Sequence, residues 1–91
     1  MVTAIILMQV DPKRLNELAD QLAGLEGVSE CYSVGGSYDL VAIIRVARNE
    51  DLAGLVTERI APLEGIEHTE TLLAFKAHSR HDLESMFSLG M

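Results

Sequence analysis

The segment Leu22-Ala23-Gly24-Leu25-Glu26-Gly27-Val28 returns 38 positions later as Ile60-Ala61-Pro62-Leu63-Glu64-Gly65-Ile66. The same offset carries Asp11 onto Asn49, each placed to cap a helix that leads into its copy. A chain built this way consists of two successive helix–turn–strand units, each with a strand in front. The order βαβ–βαβ leaves very few architectures open to so short a protein.

Residues 2–9 are β-branched and aliphatic and read as a strand. Asp11 offers a carboxylate to the helix that follows, and Pro12 sits at the first helical position, where a missing N–H costs nothing. Leu15, Leu18, Ala19 and Leu22 recur at helical spacing. Gly24 and Gly27 are expected to end that helix and redirect the chain. Residues 28–34 form a second strand, whose Ser29, Glu30 and Ser33 suit an edge. Gly35-Gly36-Ser37-Tyr38-Asp39 reads as a hairpin turn with two glycines free to take positive φ. Residues 40–46 follow as a strongly apolar strand. Asn49 is expected to cap the second helix, with Glu50 and Asp51 at its positive end and Leu52, Leu55, Val56 and Ile60 as its buried stripe. Pro62 stops it, Gly65 turns it, and residues 66–76 make the last strand. Residues 1–91 form one domain with 77–91 as a tail, in which Leu83, Met86 and Phe87 have the spacing of one or two helical turns.

This order is the ferredoxin-like βαββαβ sandwich of the α+β class. A four-stranded antiparallel sheet carries both helices on one face, with the first and third strands central. Val2, Ala4, Ile6 and Met8 line one face of the first strand, yet Ile5 and Leu7 line the other. The third strand repeats the pattern, with Leu40, Ala42 and Ile44 against Val41 and Ile43. A central strand that is apolar on both faces needs cover on both faces. Two helices supply one layer, so the second is expected from another copy, giving a dimer joined through its sheets.

Size and composition point the same way. A chain of 91 residues buries only about 60–65% of the surface that its unfolded form exposes. No intrachain disulfide can help, because Cys31 is alone, and a lone thiol suits a reducing compartment. Oligomerisation is the stabiliser that remains, and the aliphatic excess, with two Phe, two Tyr and no Trp, favours broad sheet faces over aromatic cages. The net charge of −7, with Lys and Arg scattered and no helix-turn-helix segment, argues against direct nucleic-acid binding. The apolar start lacks a basic leader and a cleavage site, and no stretch approaches the ~20 residues that span a bilayer. The chain reads as soluble and cytoplasmic.

Catalytic signatures are sparse. No serine elbow is present, and Gly35-Gly36 lies in a hairpin with no helix N-terminus after it, unlike a phosphate loop. His78 and His81 share only one i, i+3 spacing, which is weak support for a metal, so no metal, cofactor or catalytic residue is assigned. The hairpin loop is the better candidate. Asp39 either accepts N–H groups within its own turn or, with exposed loop amides, binds a charged small molecule whose amine the carboxylate attracts. Thr69 and Thr71 share one side of the last strand and either join that site or serve as ordinary strand formers.

Gly27-Val28, Glu30-Cys31-Tyr32, Val34, Gly36-Ser37-Tyr38-Asp39-Leu40, and later Leu63-Glu64-Gly65-Ile66 leading to Thr69-Glu70-Thr71, resemble the effector-binding domain of the Lrp/AsnC family, the regulation-of-amino-acid-metabolism domain. The resemblance covers residues 2–76. It implies a protomer that dimerises through its sheets, assembles further into rings of dimers, and binds an amino acid or related molecule in clefts between protomers near the hairpin. The positions that match are Gly36, Tyr38 and Asp39 in the loop and Thr69 and Thr71 on the last strand, with Tyr32 added. Full regulators of the family carry an N-terminal helix-turn-helix. This chain resembles the stand-alone type, so promoter contact is not implied, whereas association with a full-length Lrp/AsnC regulator is. The expected function is therefore a small-molecule effector sensor and not an enzyme. The alternative is a small dimeric ferredoxin-like barrel enzyme of monooxygenase or isomerase type, for which His68 is the only strand histidine and few aromatics exist to line a pocket.

Overall fold

Alternating apolar side chains on two adjacent strands build the core. In the computed structural model, which describes residues 1–78 and 80, the chain runs β1 (Val2–Val10), α1 (Leu15–Ala23), β2 (Val28–Ser33), β3 (Leu40–Val46), α2 (Asn49–Gly54, continuing to Ile60) and β4 (Ile66–Leu73). The strands form one antiparallel sheet in the order β2-β3-β1-β4, so the strands that are apolar on both faces are central. Ala4, Ile6, Met8 and Val10 of β1 and Leu40, Ala42 and Ile44 of β3 are buried against Leu18 and Leu22 of α1 and Leu55 and Ile60 of α2. This is the ferredoxin-like arrangement that the βαβ repeat predicts. The residues read as helical turns in the tail, and His81, lie outside the described residues.

The helix entrances differ in detail. Asp11 caps as expected, its carboxylate accepting the Lys13 N–H at 3.0 Å, with Pro12 opening the tight turn Pro12–Arg14 that precedes α1. At α2 the sequence places the cap at Asn49, but the extended residue before the helix is Arg48, whose N–H donates to Asp51 Oδ2 at 3.2 Å. The second half of α2 also widens. The Ala61 N–H donates to the Val56 carbonyl at 2.9 Å, five residues back. Such a turn brings residues five apart onto one side, which is how Leu55 and Ile60 are both buried.

The repeated glycine turns interlock the two halves. Gly27 has φ +97° and Gly65 φ +101°, whereas Gly24 sits at an ordinary φ of −84°, so one glycine of the first pair makes the turn. The Gly65 carbonyl accepts the Asp11 N–H at 2.8 Å and the Gly27 carbonyl accepts the Arg45 N–H at 2.9 Å. Each half thus pins its turn to the end of the other half's first strand. Arg14 reinforces the Gly65 turn through ion pairs to Glu17 at 3.0 Å and Glu64 at 3.1 Å.

Away from the helices, facing pairs in the ladder put Ile5 beside Ile43 and Leu7 beside Val41, with Leu72 of β4 next to Ile5 and Tyr32 of β2 next to Val41. Ile5, Leu7, Val41 and Ile43 are half-buried by their neighbours, and Leu72 and Tyr32 are exposed. Along β4 the helical layer stops short: residues 67–73 are exposed on both sides. The last strand is shorter than its apolar run suggests, ending at Leu73 although the Ala74 N–H still reaches the Thr3 carbonyl at 2.9 Å.

Candidate functional site

The β2–β3 loop is held down across the end of the sheet. Gly36 takes φ +119°, and of the two loop glycines it alone has positive φ. The turn closes through the Val34 N–H to the Asp39 carbonyl at 2.9 Å, and the Asp39 N–H donates to the Met8 carbonyl at 2.8 Å. Asp39 Oδ2 accepts the Val10 N–H at 2.9 Å, and Gln9 Nε2 donates to the Ser37 carbonyl at 3.0 Å. The Tyr38 hydroxyl donates to Glu70 Oε1 of β4 at 2.6 Å. The loop therefore bonds to β1 and to the far edge strand, leaving Gly35, Gly36 and Ser37 exposed at its tip. Of the two uses open to Asp39 in the sequence, N–H acceptance is realised, but the N–H belongs to β1, 29 residues away, and not to the turn.

The candidate residues divide between the two faces of β4. Thr69 and Thr71 pair with Met8 and Ile6, so they project toward the helix side, where β4 is left uncovered. Glu70 pairs with Leu7 and shares the open face with Leu72 and His68. Tyr38 meets Glu70 there, and Tyr32, beside Val41, lies on the same face at the opposite edge, its hydroxyl donating to Glu30. Tyr38, Asp39 and Gly36 are thus brought together; Thr69 and Thr71 stand back to back with Glu70 across a single strand. Glu70 and Gln9 escape the sequence reading. Strand alternation was the available signal, since it places Glu70 opposite in sense to the two threonines.

Both phenols donate to a carboxylate and ionise late. Glu70 raises the Tyr38 pKa above the ordinary tyrosine value, chiefly through the hydrogen bond. Glu30 does the same to Tyr32, through its hydrogen bond and then its charge, against a smaller opposing effect of Arg45. Burial raises the Cys31 thiol. A raised phenol pKa means that the bond's stabilisation is complete below the unfolded tyrosine value and is lost as pH rises through the folded one. Ultraviolet titration of the phenolates should therefore show Tyr38 ionising earlier in Glu70→Gln while Tyr32 stays put. An unchanged Tyr38 midpoint would mean that the Glu70 contact is absent in solution.

An open groove of about 670 Å³ lies at the other end of the sheet, between the Gly27 turn and α2, lined by charged residues including Glu26, Arg45, Glu58 and Arg59. None of the loop candidates lines it. Among the described residues no group of three or more His, Cys, Asp or Glu is placed to hold a metal ion.

Residues 3–83 match the family described as the Lrp/AsnC ligand binding domain. The chain belongs to that family. Among Lrp/AsnC relatives, the HTH-type transcriptional regulator FL11 of Pyrococcus furiosus is 31% identical over 77 residues, 85% of this chain and 50% of that protein. The chain spans about half the length of the curated relatives it matches. The crystal structure of TTHA0845 from Thermus thermophilus superposes with a TM-score of 0.83 at 48% identity, covering 88% of this chain and 100% of that one. The Neisseria meningitidis transcriptional regulator NMB0573, solved as its L-Met complex, shares the fold at a TM-score of 0.75 and 16% identity, over 87% of this chain and 54% of that one. The chain is thus a ligand-binding domain of the kind found in Lrp/AsnC-type regulators, and its ferredoxin-like fold is theirs. Among the described residues no helix is long and apolar enough to cross a membrane.

Proposed function

We propose that this domain senses an amino acid or a closely related small zwitterion, bound beside the hairpin loop and β4 in a cleft that a second protomer completes. Gly36 and Tyr38 of the loop, Thr69 and Thr71 of β4, and Tyr32 are the proposed contact residues, and Asp39 belongs to the site as the residue that sets the loop. The observation that carries the reading is the junction of an apolar, uncovered sheet face with a rim of carboxylates and hydroxyls. A zwitterion there places its ammonium against acidic oxygen and its carboxylate against exposed loop amides. Because β4 is an edge strand exposed on both sides, a ligand that meets both the threonines and Tyr38 lies over its free edge.

The site works as a sensor because it is shared. A ligand shifts an equilibrium only by binding one state more tightly than the other, and dissociation of the protomers destroys a cleft between them. Ligand occupancy is thereby linked to assembly into dimers and rings of dimers. The regulatory output is association with a full-length Lrp/AsnC regulator that supplies the DNA contact, in the cytoplasm. Co-purification from cells tests that step, and recovery of the self-assembled form alone counts against it. Curated relatives such as FL11, an HTH-type transcriptional regulator, favour this reading over the barrel-enzyme alternative.

The direct test is a thermal-shift and calorimetric screen of the twenty L-amino acids, L-methionine included because the Neisseria protein was solved with it. At a hundredfold excess over Kd, a ligand that binds only the folded form adds about 2.7 kcal/mol, roughly 10 °C or more in Tm for a domain of this size. Asp39→Ala should abolish most of that shift. No response from any of the twenty would refute the sensor reading.

A further inference from the structure

Two carboxylates stand at the hairpin end of the open sheet face, and they are held differently. Asp39 is half-buried and fixed at three points: its N–H to Met8, its carbonyl to Val34 and its Oδ2 to the Val10 N–H. Val10 lies two residues past Met8, where the β1–β3 pairing ends, and its N–H faces the same side of the strand as the Met8 carbonyl. Past the end of a ladder a backbone donor needs another acceptor. The Asp39 carboxylate supplies it. Glu70 is exposed, projects from the open face beside Leu7, and among the described residues has the Tyr38 hydroxyl as its partner. Tyr38 is half-buried at the foot of the loop that Asp39 pins.

We propose that the two acids divide the work of the site: Asp39 positions the hairpin by capping the end of β1 beyond its pairing with β3, and Glu70 is the anionic group that meets a ligand's ammonium, with Tyr38 as the hydroxyl beside it. This rests on the effector-binding reading and deepens it. The Asp39 side chain holds its place through a backbone bond that ligand binding has no reason to break. A carboxylate accepts at both oxygens, so Tyr38 keeps its bond to one Glu70 oxygen while the other takes an N–H from the incoming ammonium. The ligand class that fits is a primary amine next to a carboxylate, and a ligand stripped of its amine loses its principal contact.

The roles separate by conservative substitution. Asp39→Asn retains an oxygen for the Val10 N–H and loses only charge; Asp39→Ala loses both. Glu70→Gln retains an acceptor for Tyr38 and loses charge. The experiment measures Val10 amide exchange by NMR, together with calorimetric titration of each of the twenty L-amino acids, in the wild type, D39N, D39A and E70Q. The expected result is that D39N protects Val10 and binds within about threefold of the wild type, whereas D39A loses Val10 protection and binding together. E70Q should keep Val10 protected and weaken binding by about 10- to 100-fold, the worth of a charge-assisted hydrogen bond. Loss of binding in D39N with Val10 still protected, or unchanged binding in E70Q, overturns the proposal. If no amino acid binds the wild type, the sensor reading fails and the ligand role of Glu70 falls with it. Val10 exchange in D39A then still decides the role of Asp39: lost protection upholds it and retained protection refutes it.

Discussion

Valine in place of Gly65 should destabilise the fold by roughly 2–5 kcal/mol, a large part of the ~5–13 kcal/mol that a domain of this size has. Two costs add. At φ +101° a β-branched residue occupies a region that L side chains rarely adopt, and its Cβ would lie 3.0 Å from Leu18 Cδ1 and 3.1 Å from Arg14 Cδ. Leu18 is fully buried, so the contact is with the core and not with a surface chain that can swing aside. Gly27→Val should behave alike, since its Cβ would meet Val46 Cγ1 at 3.0 Å and Leu55 Cδ2 at 3.2 Å. Gly36 supplies the control: it has φ +119° but nothing within 4 Å of a built Cβ, so Gly36→Ala carries the backbone cost alone, about 1–3 kcal/mol. Gly24→Ala, at ordinary φ, should be near neutral. Urea denaturation at one fixed protein concentration ranks the four, and a Gly65 variant as stable as the Gly24 variant would contradict the interlocked turns.

Arginine in place of Leu7 should dissociate the proposed dimer while leaving each protomer folded. Leu7 sits in the middle of the open face, between Val41 and Glu70. Completing the burial of Ile5, Leu7, Val41 and Ile43 is worth roughly 1 kcal/mol apiece per protomer, since each is already half-covered. In the proposed dimer, a guanidinium from each copy between the two sheets costs roughly 4 kcal/mol or more, enough to weaken association about a thousandfold. The helix-side core is on the other side of the sheet and is untouched. Far-ultraviolet circular dichroism should therefore stay native while the sedimentation coefficient falls. An unchanged coefficient would mean that this face is not where copies meet.

The fold was legible because its cues are local. β3 starts and ends where the apolar run does, between the Gly-rich loop and Arg48, and the 38-residue repeat located both glycine turns. What escaped depends on contacts between distant segments. Gly24 and Gly27 look equivalent in sequence, and only the demand for a carbonyl aimed at Arg45 selects Gly27 for the positive φ. The widened turn in α2 answers to the packing of Leu55 and Ile60 under the sheet, which helical periodicity does not encode. At the candidate site, the loop residues stood out by composition, but the bond from Tyr38 to Glu70 spans 32 positions. Thr69 and Thr71 stood out by residue type, which says nothing of the face they occupy; pairing with Met8 and Ile6 decides that.

Effector binding as proposed requires a sister chain over the sheet's bare side, because without one the rim formed by the hairpin and β4 borders bulk water and encloses nothing. Sedimentation velocity on the unmodified protein at micromolar concentration measures this most directly. A dimer or larger closed assembly is the predicted result; a folded, stable 9.9 kDa monomer would contradict it.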